Sequence, residues 1–124
     1  MDFQDKVVWI TGASSGIGEH LTYAFAEQGA KLIISSRNKK ELQRVKNNCS
    51  NKDQIFIQPL DVMDYHLMPG LAKKLQDQFG FINILINNAG ISQRALVQET
   101  DFEIDKKIME VNYLGTIAIT KAVL

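Results

Sequence analysis

The sequence predicts an α/β fold, a doubly wound parallel sheet flanked by helices, and three observations carry that prediction. Short apolar runs alternate with segments whose apolar residues recur at helical spacing, as parallel strands joined by crossover helices require. A glycine-rich turn stands directly between the first run and the first helical segment. Four such runs, joined by right-handed crossovers with one reversal of direction, give the strand order 3-2-1-4.

Val7, Val8, Trp9 and Ile10 form the first run, continuous enough for a strand buried on both faces. Ile17, Leu21, Ala24 and Phe25 then recur at helical spacing, and Gly29 closes that helix as its C′ residue. Lys31 to Ser36 is the second strand, and Leu42, Val45 and Cys49 share one face of a second, charged helix. After a polar loop from Ser50 to Asp53, Ile55 to Pro59 is the third strand. Met68, Leu71, Leu75 and Phe79 mark the third helix, stopped by Gly80, and Ile82 to Ile86 is the fourth strand. The loop from Asn88 to Thr100 is polar enough to cover a pocket.

A last helix starts at Asp101, where Thr100 and Glu103 have the spacing of a capping box. Its second half, with Leu114, Ile117, Ala118, Ile119, Ala122, Val123 and Leu124, is apolar over most of its circumference and needs neighbours on both sides. One side is expected on the sheet, the other on further chain or a second subunit. Leu124 lies inside this stretch without a stop signal, and a sheet ending at the fourth strand would leave an apolar edge. Residues 1–124 are therefore expected to be the N-terminal part of a single domain whose later strands are missing.

Composition narrows the function classes. At 124 residues, 45% hydrophobic and 23% charged, the chain suits one globular domain. Fourteen basic residues balance fourteen acidic ones, so no long-range field recruits nucleic acid or an anionic membrane. The single cysteine, Cys49, excludes an internal disulfide and is expected to be a small apolar contact. His20 and His66 lack metal-ligand spacing, so no metal site is expected. Met1 to Lys6 holds two acids and no apolar run; no signal or anchor is expected within it, and the expected location is cytoplasmic.

Residues 11–18 read TGASSGIG. Gly12 permits the tight turn, Gly16 lets the backbone approach a diphosphate, and Gly18 lets the helix pack close on the strand. Free N–H groups and the positive dipole end of the helix then favour phosphates. Without the lysine and hydroxyl residue of a P-loop, nucleotide triphosphate hydrolysis is disfavoured. The context is that of a Rossmann-like dinucleotide site. At the end of the second strand, where an acid would grip the adenosine ribose of NAD, stand Ser36 and Arg37. An arginine there pairs with a 2′-phosphate in a contact worth about 1.5–3 kcal/mol, which favours NADP(H). Asn38, Lys39 and Lys40 form a small basic run beside it that can extend phosphate binding through Asn38 or Lys39; a solvated strand end is the plain alternative. Asn87 to Gly90 follow the fourth strand and meet the glycine turn at the reversal point of the predicted sheet.

TGASSGIG, NNAG at 87–90 and VNYLG at 111–115, in this order, resemble the short-chain dehydrogenase/reductase family over the whole chain. VVWITGASSGIGE at 7–19, ELQRVKNNC at 41–49, GISQRAL at 90–96 and the later NYLGTIAITKAVL are similar to the dehydrogenase/reductase member 7 group of that family. The resemblance implies that Gly12, Ser14, Ser15, Gly16, Ile17 and Gly18 line the phosphates, with Ser36, Arg37 and Asn38 around the 2′-phosphate. It places Asp61 and Val62 on the adenine, Asn88, Ala89 and Gly90 on the ribose side, and assigns Asn112 as the catalytic asparagine that organises a water chain to the active-site lysine. The alternative for Asn112 is a buried asparagine satisfying backbone groups where a helix kinks.

The family's reaction also needs a tyrosine followed four residues on by a lysine, and Tyr23, Tyr65 and Tyr113 are followed by Glu27, Pro69 and Ile117. The expectation is an NADP(H)-dependent oxidoreductase acting on an apolar carbonyl or secondary alcohol, represented by its cofactor-binding part and inactive as 124 residues alone. A non-catalytic NADP-binding sensor is the second reading, and a methyltransferase-type nucleotide fold, disfavoured by Arg37, the third. A homodimer or homotetramer is expected, with neither nucleic acid nor membrane as partner.

Overall fold

A computed structural model describes residues 2–91 and 96–124. Its sheet has the order β3-β2-β1-β4, built from β1 (Val7–Thr11), β2 (Lys31–Ser35), β3 (Ile55–Ile57) and β4 (Ile84–Ile86). Every pairing is parallel, with Val8 opposite Leu32 on one side and Ile84 on the other. The expected doubly wound α/β arrangement is therefore present.

Alternation along β1 and β2 divides the core. Val8, Ile10, Leu32 and Ile34 point to the face covered by α1 (Gly16–Glu27) and α2 (Lys39–Asn47), where Leu42, Val45 and Cys49 complete the packing. Val7, Trp9 and Ile33 point to the opposite face, against α3 (Met68–Phe79) and α5 (Thr116–Val123). Each large side chain so buried contributes about 1.5–3 kcal/mol. The indole of Trp9, fully buried, donates to Ser35 Oγ at 2.9 Å, so its one polar atom is satisfied. As expected, Cys49 is a buried free thiol, and burial pushes its pKa up.

β3 and β4 are each two residues shorter than the sequence suggests, because side chains and loop amides take over the ladder. Asn83 Oδ1 accepts from Val7 N at 2.8 Å ahead of β4, while Gln58 and Leu60 still donate to the β2 side beyond Ile57. Helix α1 ends as read. Gly29, at φ +81°, donates to Ala26 O, and Ala30 donates to Phe25 O, the paired bonds of a Schellman turn.

The face that α1 buries differs from the expected one. Ile17 is 72% exposed and Ala24 is exposed, whereas Gly18, Thr22 and Ala26 form the buried stripe. Small residues win because α1 sits so close to the sheet that a large side chain has no room there. Leu21 and Phe25 pack along its border.

The capping box at Thr100 is also not formed. Helix α4 (Phe102–Met109) has Asp101 at its N-cap position with no side-chain cap, and Thr100 Oγ1 donates back to Leu96 O at 3.2 Å. The expected single last helix is broken into α4, a π-helical stretch at Glu110–Gly115, and α5. Val111, Gly115 and Ile119 face inward from this segment, while Phe102, Met109, Tyr113 and Leu114 remain exposed. Residues 92–95, part of the expected pocket-covering loop and of the GISQRAL segment, lie outside the described residues. No helix among the described residues is long and apolar enough to cross a membrane.

Candidate functional site

The C-terminal ends of β1 and β4 are tied together by one hydroxyl. Thr11 Oγ1 accepts from the amides of Asn88 and Ala89 at 3.1 and 3.0 Å and donates to Ile86 O at 3.4 Å. Asn88 Nδ2 donates to Gly12 O at 3.0 Å. The glycine bend and the Asn-Asn-Ala-Gly segment thus share one junction, at the reversal point of the sheet.

Glycine is dictated at the bend by distances. A Cβ on Gly18 would stand 2.1 Å from Gly12 O and 2.6 Å from Asn88 Nδ2. Gly12, at φ +64°, lies with its Cβ position 3.0 Å from the Ala89 backbone. Gly16 is different: its φ of +55° needs a glycine, yet nothing lies within 4 Å of its Cβ position. Gly16 is exposed, so its main chain is open on that side.

The amides there are available. Ala13 N donates to Ser35 O, and the next engaged donor is Glu19 N, on Ser15 O. Among the described residues, no protein acceptor takes the amides of Ser14, Gly16, Ile17 and Gly18. With the dipole of α1 behind them, they form an anion-binding end.

Beside the bend runs a cleft of about 350 Å³. Among the residues singled out from the sequence, its wall contains Gly12, Ser14, Ser15, Ser36, Arg37, Asn38, Asp61, Val62, Asn88, Ala89 and Gly90. Gly16, Ile17 and Gly18, at the start of α1, and Asn112, which bonds the lining residue Ile91, are not part of this wall. Thr11, Ser35, Leu60, Ile91, Lys107 and Val111 also line the cleft and were not singled out. Val111, the first residue of the VNYLG segment, and Lys107, which belongs to no motif, reach it from the last helical segment, one turn apart.

Arg37 is exposed on the cleft and has no hydrogen-bond or ion-pair partner among the described residues. Its neighbours are held. Ser36 Oγ accepts from Asn38 N at 3.1 Å, and Asn38 Oδ1 caps α2 by accepting from Glu41 N at 3.1 Å.

Asn112 sits inside the π-helical stretch and uses both ends of its amide on one residue. Its Oδ1 accepts from Ile91 N at 2.8 Å and its Nδ2 donates to Ile91 O at 2.6 Å. It thereby fixes the chain leaving Gly90, satisfying backbone groups at a helix irregularity, although it is exposed rather than buried. Gly115 completes the contact, since a Cβ there would fall 2.6 Å from Val62 O.

A model of the short chain dehydrogenase family matches residues 6–124. The chain belongs to the short-chain dehydrogenase family. It is 44% identical over 129 aligned residues to human "Dehydrogenase/reductase SDR family member 7", covering 99% of this chain and 38% of that protein. The resemblance to the member 7 group thus stands. Among solved structures, a short-chain type dehydrogenase/reductase from Mycobacterium marinum superposes with a TM-score of 0.90 at 28% identity, over 98% of this chain and 50% of the other. A 3-ketoacyl-(acyl-carrier-protein) reductase from Brucella melitensis, complexed with NADH, has a TM-score of 0.90 at 30% identity, over 99% and 50%. The chain therefore spans well under two thirds of the relatives it matches.

Three residues near the bend, Glu19, Tyr23 and Arg44, form a charged network that no sequence motif marks. Glu19, in the first turn of α1, is bound by Arg44 of α2 and by the hydroxyl of Tyr23. The hydrogen bonds from the Arg44 guanidinium, then that from Tyr23, lower the Glu19 pKa to about 2. Desolvation, the Asn48 donor notwithstanding, pushes the Tyr23 pKa up. Tyr23 is committed to this network, not to the cleft.

Proposed function

We propose that the chain is the nucleotide-binding part of an NADP(H)-dependent oxidoreductase that exchanges hydride with a carbonyl compound or a secondary alcohol. The observation that carries this reading is the cleft itself. Unengaged amides of a glycine bend stand at one part of it, and an unpartnered arginine stands on its wall at the end of β2. A diphosphate suits the first and a 2′-phosphate the second, so the residues present fit a phosphorylated dinucleotide.

On this reading the amides from Ser14 to Gly18, with Gly12 behind them, hold the diphosphate. Arg37, flanked by Ser36 and Asn38, takes the 2′-phosphate, for which an acid in its place would be repulsive. Asp61 and Val62 lie along the adenine, and Asn88, Ala89 and Gly90 along the ribose. Asn112 positions Ile91 and is placed to organise solvent near the reacting end. The bound nicotinamide would supply or accept the hydride. An apolar carbonyl or alcohol, and a homodimer or homotetramer formed through the exposed Phe102, Met109 and Tyr113, belong to the same proposal.

Calorimetric titration with NADPH and NADH tests it. Tighter binding of NADPH is expected, with Arg37→Ala removing about tenfold or more of NADPH affinity and leaving NADH little changed. Equal affinities for the two in the unmodified protein would defeat the role of Arg37, and binding of neither would defeat the whole reading.

A further inference from the structure

Glu19 is out of place beside an anion site. It occupies the first turn of α1, where a carboxylate satisfies the same positive helix end that a phosphate would use and repels any anion already there. The surroundings of its side chain resolve the conflict. Arg44 Nη1 donates to Glu19 Oε2 at 3.1 Å and Nη2 donates to Glu19 Oε1 at 3.0 Å. The same Nη2 donates to Ser14 O at 3.0 Å, and Ser14 lines the cleft. One guanidinium nitrogen therefore touches both the acid and the bend. Arg44 Nε is held by the exposed Glu41 at 2.8 Å, which fixes the fork in place.

We propose that Arg44 is a positioning residue for the dinucleotide: it neutralises the Glu19 carboxylate, turns it away from the amino end of α1, and fixes the Ser14 carbonyl, leaving the bend amides to the diphosphate. The inference rests on the dinucleotide reading above. It differs from a plain staple between α1 and α2, because a staple is lost equally from either end. Shielding is not symmetric. Removing Arg44 exposes a negative charge beside the phosphates, whereas removing Glu19 exposes a positive one.

The test is a double-mutant cycle read as NADPH affinity of the full chain, with thermal unfolding recorded for every variant. Arg44→Met is expected to weaken binding about tenfold at 0.1 M salt and far less at 1 M, as the screening length falls from about 10 to about 3 Å. Glu19→Gln alone should bind at least as tightly as the unmodified protein, and Glu19→Gln with Arg44→Met should recover most of the loss. Arg44→Lys, which keeps the charge, should retain most of the affinity. If Arg44→Met unfolds, Arg44→Gln replaces it in the cycle. Equal losses from Glu19→Gln and Arg44→Met, or a double variant no better than Arg44→Met, would overturn the inference. Failure of the unmodified protein to bind either dinucleotide would instead overturn the reading beneath it.

Discussion

At the bend the surface offered to a ligand is main chain held by the buried or half-buried side chains of Thr11 and Asn88, whereas at the end of β2 it is one exposed side chain with no partner among the described residues. Thr11 and Asn88 fix the bend through hydrogen bonds of 3.0–3.1 Å, and Gly12 and Gly18 let the segments approach more closely than a Cβ would allow, so its amides are arranged before any ligand arrives. Arg37 has no such partner among the described residues, while its neighbours are held: Ser36 O accepts from Leu60 N, and Ser36 and Asn38 bond each other and α2. The contrast assigns different properties to the two regions. Changes at the bend should alter stability and all dinucleotide binding together, and changes at Arg37 should alter only the preference between dinucleotides.

Gly18→Ala is the largest perturbation of that contrast. Its added methyl would meet Gly12 O at 2.1 Å, a backbone atom that cannot yield unless α1 moves off the sheet. We expect a loss of about 3 kcal/mol in chemical denaturation, the upper range for overpacking, together with loss of binding to NADH and NADPH alike. Gly16→Ala is the matched control. Its methyl meets open space, leaving only the strain of a left-handed backbone, about 1–2 kcal/mol. If the two variants proved equally mild, the close seating of α1 would be wrong.

Thr11→Val comes next. Valine keeps the shape but strands the amides of Asn88 and Ala89, a cost of about 1–3 kcal/mol. Affinity for both dinucleotides should fall in parallel. A selective loss of NADPH binding would show that the junction and the Arg37 region are not separate in the way described.

Much of the backbone part of this comparison was legible in the sequence, and little of the side-chain part was. The strand order follows from alternation and crossover handedness, and the separate duties of Gly12, Gly16 and Gly18 follow from a turn confined between strand and helix. The buried stripe of α1 was misread because hydrophobic periodicity favours large residues such as Ile17, whereas close packing chose Gly18, Thr22 and Ala26. Thr100 has the right spacing for a cap but spends its hydroxyl on Leu96. Thr11 and Arg44 act on groups distant in sequence, and an ordinary polar residue gives no local sign of such a partner.

The smallest expected effect concerns the acid that sits between these regions. Glu19 has its pKa lowered to about 2 in the folded chain, first by Arg44 and then by Tyr23, against an ordinary value of 4.5. A lowered folded value means the unfolded chain takes up the proton first, so the pair's contribution is complete above pH 4.5 and is lost as pH falls from there toward about 2. Arg44 keeps its charge throughout this window, because both carboxylates raise its pKa further. Urea unfolding of the unmodified protein and of Glu19→Gln, compared between pH 6 and pH 2.5, should therefore show a stability difference that narrows on acidification. Because the guanidinium is partly exposed, the difference should be small and should shrink further in high salt. A difference that widened at low pH would mean that the carboxylate is destabilising where it stands, and that Arg44 does not neutralise it.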